Sequence, residues 1–388
     1  MKETYSRTKS VWQRMDADER QAVMDYGEKY KAFLDVARTE RLAADEIIRQ
    51  AEAAGFKPGY EMDSLKPGDK VYWHQKGKSV ILAVIGEEPV HAGIKIVGSH
   101  IDSPRLDLKA NPVHEQDGIV YFRTHYYGGI KKYQWTCIPL ALIGVVYTKD
   151  GKKVDINIGL KDDDPIFYVS DLLIHMAQDQ MKKTLAEGIT GEQLQAIAGT
   201  NAEEDLKPKE VFMKMLKDTY GIEEEDFAAA ELELVPATKS RDVGFDRSLI
   251  ASYGQDDRVC SYANLEAILQ AKPGVKTQAA LLTDKEEIGS YGNTGMESSY
   301  FVKFVMKLLA LQGKDTILDF YETMENSEML SADVNSCMNP MFAEVSEKDN
   351  ASFLGYGINL TKYGGARGKS GSNDANAEFL QKIRTIFN

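Results

Sequence analysis

The chain has 388 residues, 43% of them hydrophobic and 28% charged, and 60 Asp and Glu outweigh 47 Lys and Arg to give a formal net charge of −13. Nucleic acid and anionic membrane surfaces are recognised by basic faces, so that balance excludes them as expected partners, while it suits a cation or a cationic peptide. The first residues mix charges and lack the apolar core of a secretion signal, and no apolar run approaches the roughly 20 residues that span a bilayer, so the expected location is the cytoplasm.

Three cysteines, Cys137, Cys260 and Cys337, lie far apart without a Cys-x-x-Cys pair and read as reduced thiols. Residues 10–54 place apolar side chains at helical spacing, with Gly55 and Pro58 as stop signals, so two helices are expected to open the chain. Residues 70–73 and 79–84 read as strands around a turn at 75–78, and 93–98 as a short strand leading to His100. Beyond Asp102 the pattern becomes β-rich: 119–122, 140–147 and 153–158 read as strands, the last two joined by Asp150-Gly151, a hairpin signal. A helix is expected over about 170–186, and the stretch to Glu233, with its acidic run at 223–226, reads as partly loop. After Val235 come a helix at 257–271, a buried strand at 275–282 and a helix at 300–312, and a last helical pattern covers 374–386. Strands alternating with helices predict an α/β/α layered domain in two pieces, 1–103 and 236–388, interrupted by a β-rich insert at 104–235.

Four segments set acidic or imidazole groups at the ends of these elements: His100-Ile-Asp102, Asp256-Asp257, Glu286-Glu287 and Asp333. Singly, each is commonly a cap, a hydrogen-bonded pair or a surface charge. Together, at strand ends of one α/β domain, they make a catalytic constellation. His100 and Asp102 are one residue apart, so in extended chain both side chains point to one side, as a ligand and its orienting carboxylate require. Adjacent Glu286 and Glu287 can divide labour, one holding a cation and the other taking a proton from an attacking water. Zinc, manganese and cobalt accept mixed imidazole and carboxylate ligands, and two such ions about 3.5–4 Å apart can share a carboxylate from Asp256-Asp257. Paired carboxylates also serve glycoside hydrolysis.

The segments Gly98-Ser-His-Ile-Asp-Ser-Pro-Arg-Leu106, Asp284-Lys-Glu-Glu-Ile-Gly-Ser290 and Ser331-Ala-Asp333, in this order, resemble the M18 metalloaminopeptidases, the family of aspartyl aminopeptidase and aminopeptidase I, across nearly the whole chain. The resemblance implies a peptide hydrolase with two divalent ions, zinc first, cobalt or manganese as alternatives. It implies His100, Asp256, Glu287 and Asp333 as metal ligands, with Asp256 bridging; Asp102 orients His100 and Glu286 is the general base. Asp257 is left a structural role. It further implies that His175, on a helix of the insert, reaches the site of a neighbouring subunit in a homo-oligomer, commonly a dodecamer, whose insert serves subunit contacts and covers the site. Lys285 and Ser336 stand where many relatives carry histidine. The family's last ligand is a histidine near the C-terminus, whereas all six histidines here lie at or before His175. The expectation is a catalytic domain lacking its C-terminal end, with a truncated, impaired member kept for assembly or binding as the alternative.

Overall fold

The computed structural model describes residues 9–362 and 376–387. The described residues fold as two units, one of residues 30–333 and a second in which residues 9–29 join residues 334–362 and 376–387. In the latter, Val11 donates a backbone hydrogen bond to the Gly355 carbonyl at 2.6 Å. The last expected helix is found there as Ala377–Phe387, residues 374 and 375 lying outside the described residues.

Residues 30–333 contain two large sheets. The first has six strands in the order Lys57–Pro58, Lys70–Gln75, Ser79–Val84, Thr277–Thr283, Ile94–His100 and Glu328–Ser331. Its interior strands are apolar at consecutive positions because both faces are covered. Val80, Leu82, Ala280 and Leu282 pack with Ile47, Leu265 and Ile268 of the helices Glu40–Ala53 and Gln255–Gln270. The alternate residues Ile81, Ala83, Ala279 and Leu281 pack with Phe304 and Leu308 of the helix Tyr300–Ala310 on the other side. Thr39 caps Glu40–Ala53 by accepting the Leu42 amide at 3.3 Å, which explains why the opening helical pattern breaks between Val36 and Glu40.

The second sheet draws its seven strands from residues 105–236. Ala230–Pro236 pairs with both Arg105–Gln116 and Pro139–Tyr147, so six strands close into a ring, and the seventh, Lys153–Ile158, pairs with Pro139–Tyr147. Leu106, Phe122, Leu140, Leu142 and Leu234 fill the core of this sheet.

The stretch expected as one helix over 170–186 is instead extended chain with single 3-10 turns at Ile174–Met176 and Gln180–Lys182 and a short helix at Leu185–Gly188. Asp171 accepts its neighbour Leu172's amide at 2.7 Å and the Gln180 amide group at 2.8 Å, local bonds that compete with a helix. Leu172, Leu173, Ile174, Met176, Met181 and Leu185 are all exposed, so no buried face stabilises the helical alternative. No helix among the described residues is long and apolar enough to cross a membrane.

Candidate metal centre

Three parallel strands bring the sequence motifs together. Ile94–His100 lies between Thr277–Thr283 and Glu328–Ser331, with Thr283 opposite His100 and Ser331 opposite Gly98. All three therefore end on one edge of the sheet, where α/β folds place their sites. His100 closes its strand, Glu286 and Glu287 follow the second, and Asp333 follows the third. The helix Gln255–Gln270 supplies Asp256 from its irregular first turn, where Asp256 and Asp257 have non-helical backbone angles. Ser261 of that helix donates to the His100 carbonyl at 2.7 Å, and Ser103 donates to the Asp256 carbonyl at 2.6 Å, which locks helix and strand edge together.

The ligand atoms of His100, Asp256 and Asp333 lie within 4.8 Å of one another. The His100 ring is buried, and its Nδ1 faces the Asp102 carbonyl oxygen at 3.0 Å and Asp102 Oδ1 at 3.3 Å. That arrangement keeps the proton on Nδ1 and leaves Nε2 as a lone-pair donor. Nε2 is buried without a hydrogen bond and faces Asp256 Oδ1 at 3.2 Å, Glu286 Oε2 at 3.7 Å and Asp333 Oδ1 at 3.8 Å. Burial opposes charge on this ring, but the neighbouring carboxylates of Asp102, Asp256 and Asp333 outweigh it and push the pKa up to about 12. A nitrogen surrounded in this way draws a cation, whether a proton or a metal.

Asp102 is fully buried and serves several groups at once. Its Oδ1 accepts the Glu286 amide and its Oδ2 the Glu287 amide, each at 3.2 Å, while the Tyr127 hydroxyl donates to Oδ2 at 2.6 Å. Burial works against its charge, yet His100 and these donors hold its pKa below the usual carboxylate value. Burial and the adjacent Asp102 raise the Tyr127 phenol well above its ordinary value, so it remains a donor. The turn carrying the two glutamates begins at Lys285, φ +74°, and ends at Gly289, φ +89°.

Further orphaned groups point the same way. Glu287 Oε1 is buried without a partner, and burial followed by repulsion from Asp256 raises that carboxyl to about 7. Both Asp257 oxygens are buried without hydrogen bonds, and burial raises Asp257 to about 7. Buried carboxylates and a bare imidazole nitrogen in one cluster fit a borderline divalent ion. His175 lies outside it, exposed on the 3-10 turn Ile174–Met176. Tyr127 is invisible to sequence reasoning because it lies beyond the strand expected at 119–122, whereas in the structure that strand runs on as Ile119–Tyr127.

The chain matches the family model described as "Aminopeptidase I zinc metalloprotease (M18)" over residues 33–388. It is 46% identical to a "Probable M18 family aminopeptidase 1" of Clostridium acetobutylicum, covering 98% of this chain and 83% of that protein. The chain belongs to the M18 aminopeptidase family. A crystal structure of the M18 aminopeptidase from Thermotoga maritima superposes with a TM-score of 0.93 at 42% identity, covering 98% of this chain and 84% of that one. A yeast structure described as an mApe1 dodecamer has a TM-score of 0.68 at 19% identity, covering 85% of this chain and 76% of the other, a likeness of fold alone. This M18 protein is accordingly a metalloaminopeptidase, a reading these relatives favour over that of an impaired member kept for assembly.

Proposed function

We propose that this M18 aminopeptidase removes N-terminal residues from peptides at the edge of the first sheet, where His100, Asp256, Glu287 and Asp333 would hold two divalent ions, zinc in the first place. The observation that carries this is the buried, unbonded His100 Nε2 facing the carboxylates of Asp256 and Asp333. Such ions acidify water and stabilise negative charge that develops on a peptide carbonyl oxygen. The protein's own part follows from geometry. Glu286, partly exposed and 3.7 Å from His100 Nε2, takes a proton from the attacking water and hands it to the leaving amine. Asp102 holds the His100 ring and, through two backbone amides, the turn that carries Glu286 and Glu287.

The sheet arrangement supports a catalytic domain in two pieces, 1–103 and 236–388, with 104–235 as an insert: the first sheet uses strands from 57–100 and 277–331, the second from 105–236. The insert's exposed segment at 172–176 projects His175 into the site of a neighbouring subunit in a homo-oligomer, and the dodecamer of the yeast protein is the precedent for that assembly. The cytoplasm is the proposed location.

The test is metal removal. Chelation abolishes hydrolysis of an aminoacyl chromogenic substrate, and zinc, cobalt or manganese restores it. His100→Ala retains less metal than the native protein after dialysis. Turnover indifferent to chelators, or unchanged metal stoichiometry in His100→Ala, overturns the reading.

A further inference from the structure

Tyr127 ends the strand Ile119–Tyr127 of the second sheet, yet its hydroxyl reaches the metal-site edge of the first. Its ring is buried and contacts two cations: the Arg105 guanidinium carbon is 3.8 Å from the ring centroid and Lys285 Nζ is 5.2 Å from it. Arg105 is the cross-strand partner of Tyr127. It is itself anchored by Asp107 at 2.8 Å, Glu233 at 3.2 Å and Glu40 at 3.6 Å, so the ring rests on a group fixed from several elements. Lys285 is the residue immediately before Glu286. The phenol is therefore packed against two cations and aimed at one atom, Asp102 Oδ2.

We propose that Tyr127 is a positioning residue for the metal site: its hydroxyl fixes the Asp102 carboxylate in the one orientation that serves the His100 ring and the Glu286 and Glu287 amides together. This rests on the proposed roles of His100 and Glu286. The carboxylate has two oxygens and four neighbours. Oδ1 faces His100 Nδ1 and the Glu286 amide, and Oδ2 takes the Glu287 amide and the phenol. The two amide bonds are long, at 3.2 Å, while the phenol bond is short and charge-assisted, so the phenol is the strongest restraint on rotation of the carboxylate. Freed from it, Asp102 turns away from His100 Nδ1 and loosens the glutamate turn in the same motion. The second sheet thereby acts on a site to which, among residues 105–236, it contributes no proposed ligand from its own strands.

The test compares Tyr127→Phe, which keeps the ring against its cations and removes only the hydroxyl, with Asp102→Asn and Lys285→Met. Zinc affinity is read by chelator competition, kinetics at saturating zinc, and folding by the melting temperature of the metal-free protein. Groups that orient a metal ligand typically contribute about 10–100-fold in metal affinity, so Tyr127→Phe is expected to weaken zinc binding by about tenfold and to lower kcat at saturating zinc with KM unchanged. Lys285→Met, which leaves the hydroxyl in place, has a smaller effect on affinity. Equal losses in Lys285→Met and Tyr127→Phe trace the effect to ring packing and overturn the proposal. So does native affinity and kcat in Tyr127→Phe when Asp102→Asn is impaired, a result that leaves the metal reading standing. Native zinc binding in both Asp102→Asn and His100→Ala defeats the metal reading itself. Should Tyr127→Phe lose affinity and melt at a lower temperature without metal, native KM with lowered kcat still supports positioning, and a proportional loss of both overturns it.

Discussion

Glu286 and Glu287 are neighbours in sequence whose backbone amides bind the same carboxylate, yet their side chains meet different surroundings. Glu286 is 39% exposed beside His100 Nε2, whereas Glu287 Oε1 is buried without a partner. An accessible carboxylate exchanges protons with substrate and solvent; a buried orphan is satisfied by a cation. Glu286→Gln is therefore expected to keep native metal content and lose about 10²–10⁴-fold in kcat/KM, the usual share of general-base catalysis, as metal analysis beside steady-state kinetics will report. Glu287→Gln is expected instead to lower metal occupancy. Reversal of the two phenotypes exchanges the roles. The division between the two acids is legible as a possibility in their adjacency, and His100 with Asp102 in their spacing. What fixes them in place is not. The Tyr127 bond joins positions 25 apart across two sheets, and no local pattern encodes it.

At the scale of elements, the sequence exposes those whose partners are apolar and conceals those whose partners are charged. Thr277–Thr283 and Ser79–Val84 are readable because both faces of each are covered by apolar side chains. The stretch to Glu233, with its acidic run at 223–226, reads as partly loop, yet it ends in the strand Ala230–Pro236, where Glu233 is buried against Arg105 and Glu231 meets Lys78 at 3.0 Å. These pairings come from distant chain and compensate the poor strand propensity of glutamate. The segment at 170–186 misleads in the opposite sense. Its apolar spacing suggests a helix, while in the folded chain those side chains are exposed. An apolar pattern left uncovered within one subunit is explained if another subunit receives it. That gives a complementation test: Glu286→Gln and His175→Ala are each expected to be nearly inactive alone. Co-assembled in equal amounts, they are expected to regain activity at about a quarter of the sites, where an intact Glu286 meets a neighbour's intact His175. Activity no greater than the sum of the separate variants places His175 outside the neighbour's site.

For the whole molecule, the clustered acids make stability and metal binding depend on pH together. In the metal-free protein, burial raises Glu287 from 4.5 to about 7 and Asp257 from 3.8 to about 7. Against the opposing effect of burial, surrounding carboxylates raise His100 from 6.5 to about 12. Each of these groups binds its proton more tightly folded than unfolded, so between pH 4.5 and 7 the native state holds more protons and loses stability as pH rises. Above 6.5 His100 continues that trend, its contribution being complete below its unfolded value and lost toward its folded one. Asp102 and Glu40 are depressed despite burial, Asp102 by His100 and Glu40 by Arg105, and their contribution is lost on the acid side as pH falls through their folded values. A divalent ion takes the place of the protons on His100 and Glu287, so it binds better as pH rises and releases protons as it does so. Ligand stabilisation follows affinity, and the gap in melting temperature between zinc-loaded and metal-free protein is expected to widen from about pH 5 to about pH 8. The metal-free protein should melt progressively lower over the same range, and His100→Ala should flatten both trends. A gap that stays constant with pH, measured at fixed free zinc by differential scanning calorimetry, shows that the ion does not compete with these protons and moves the metal away from this cluster.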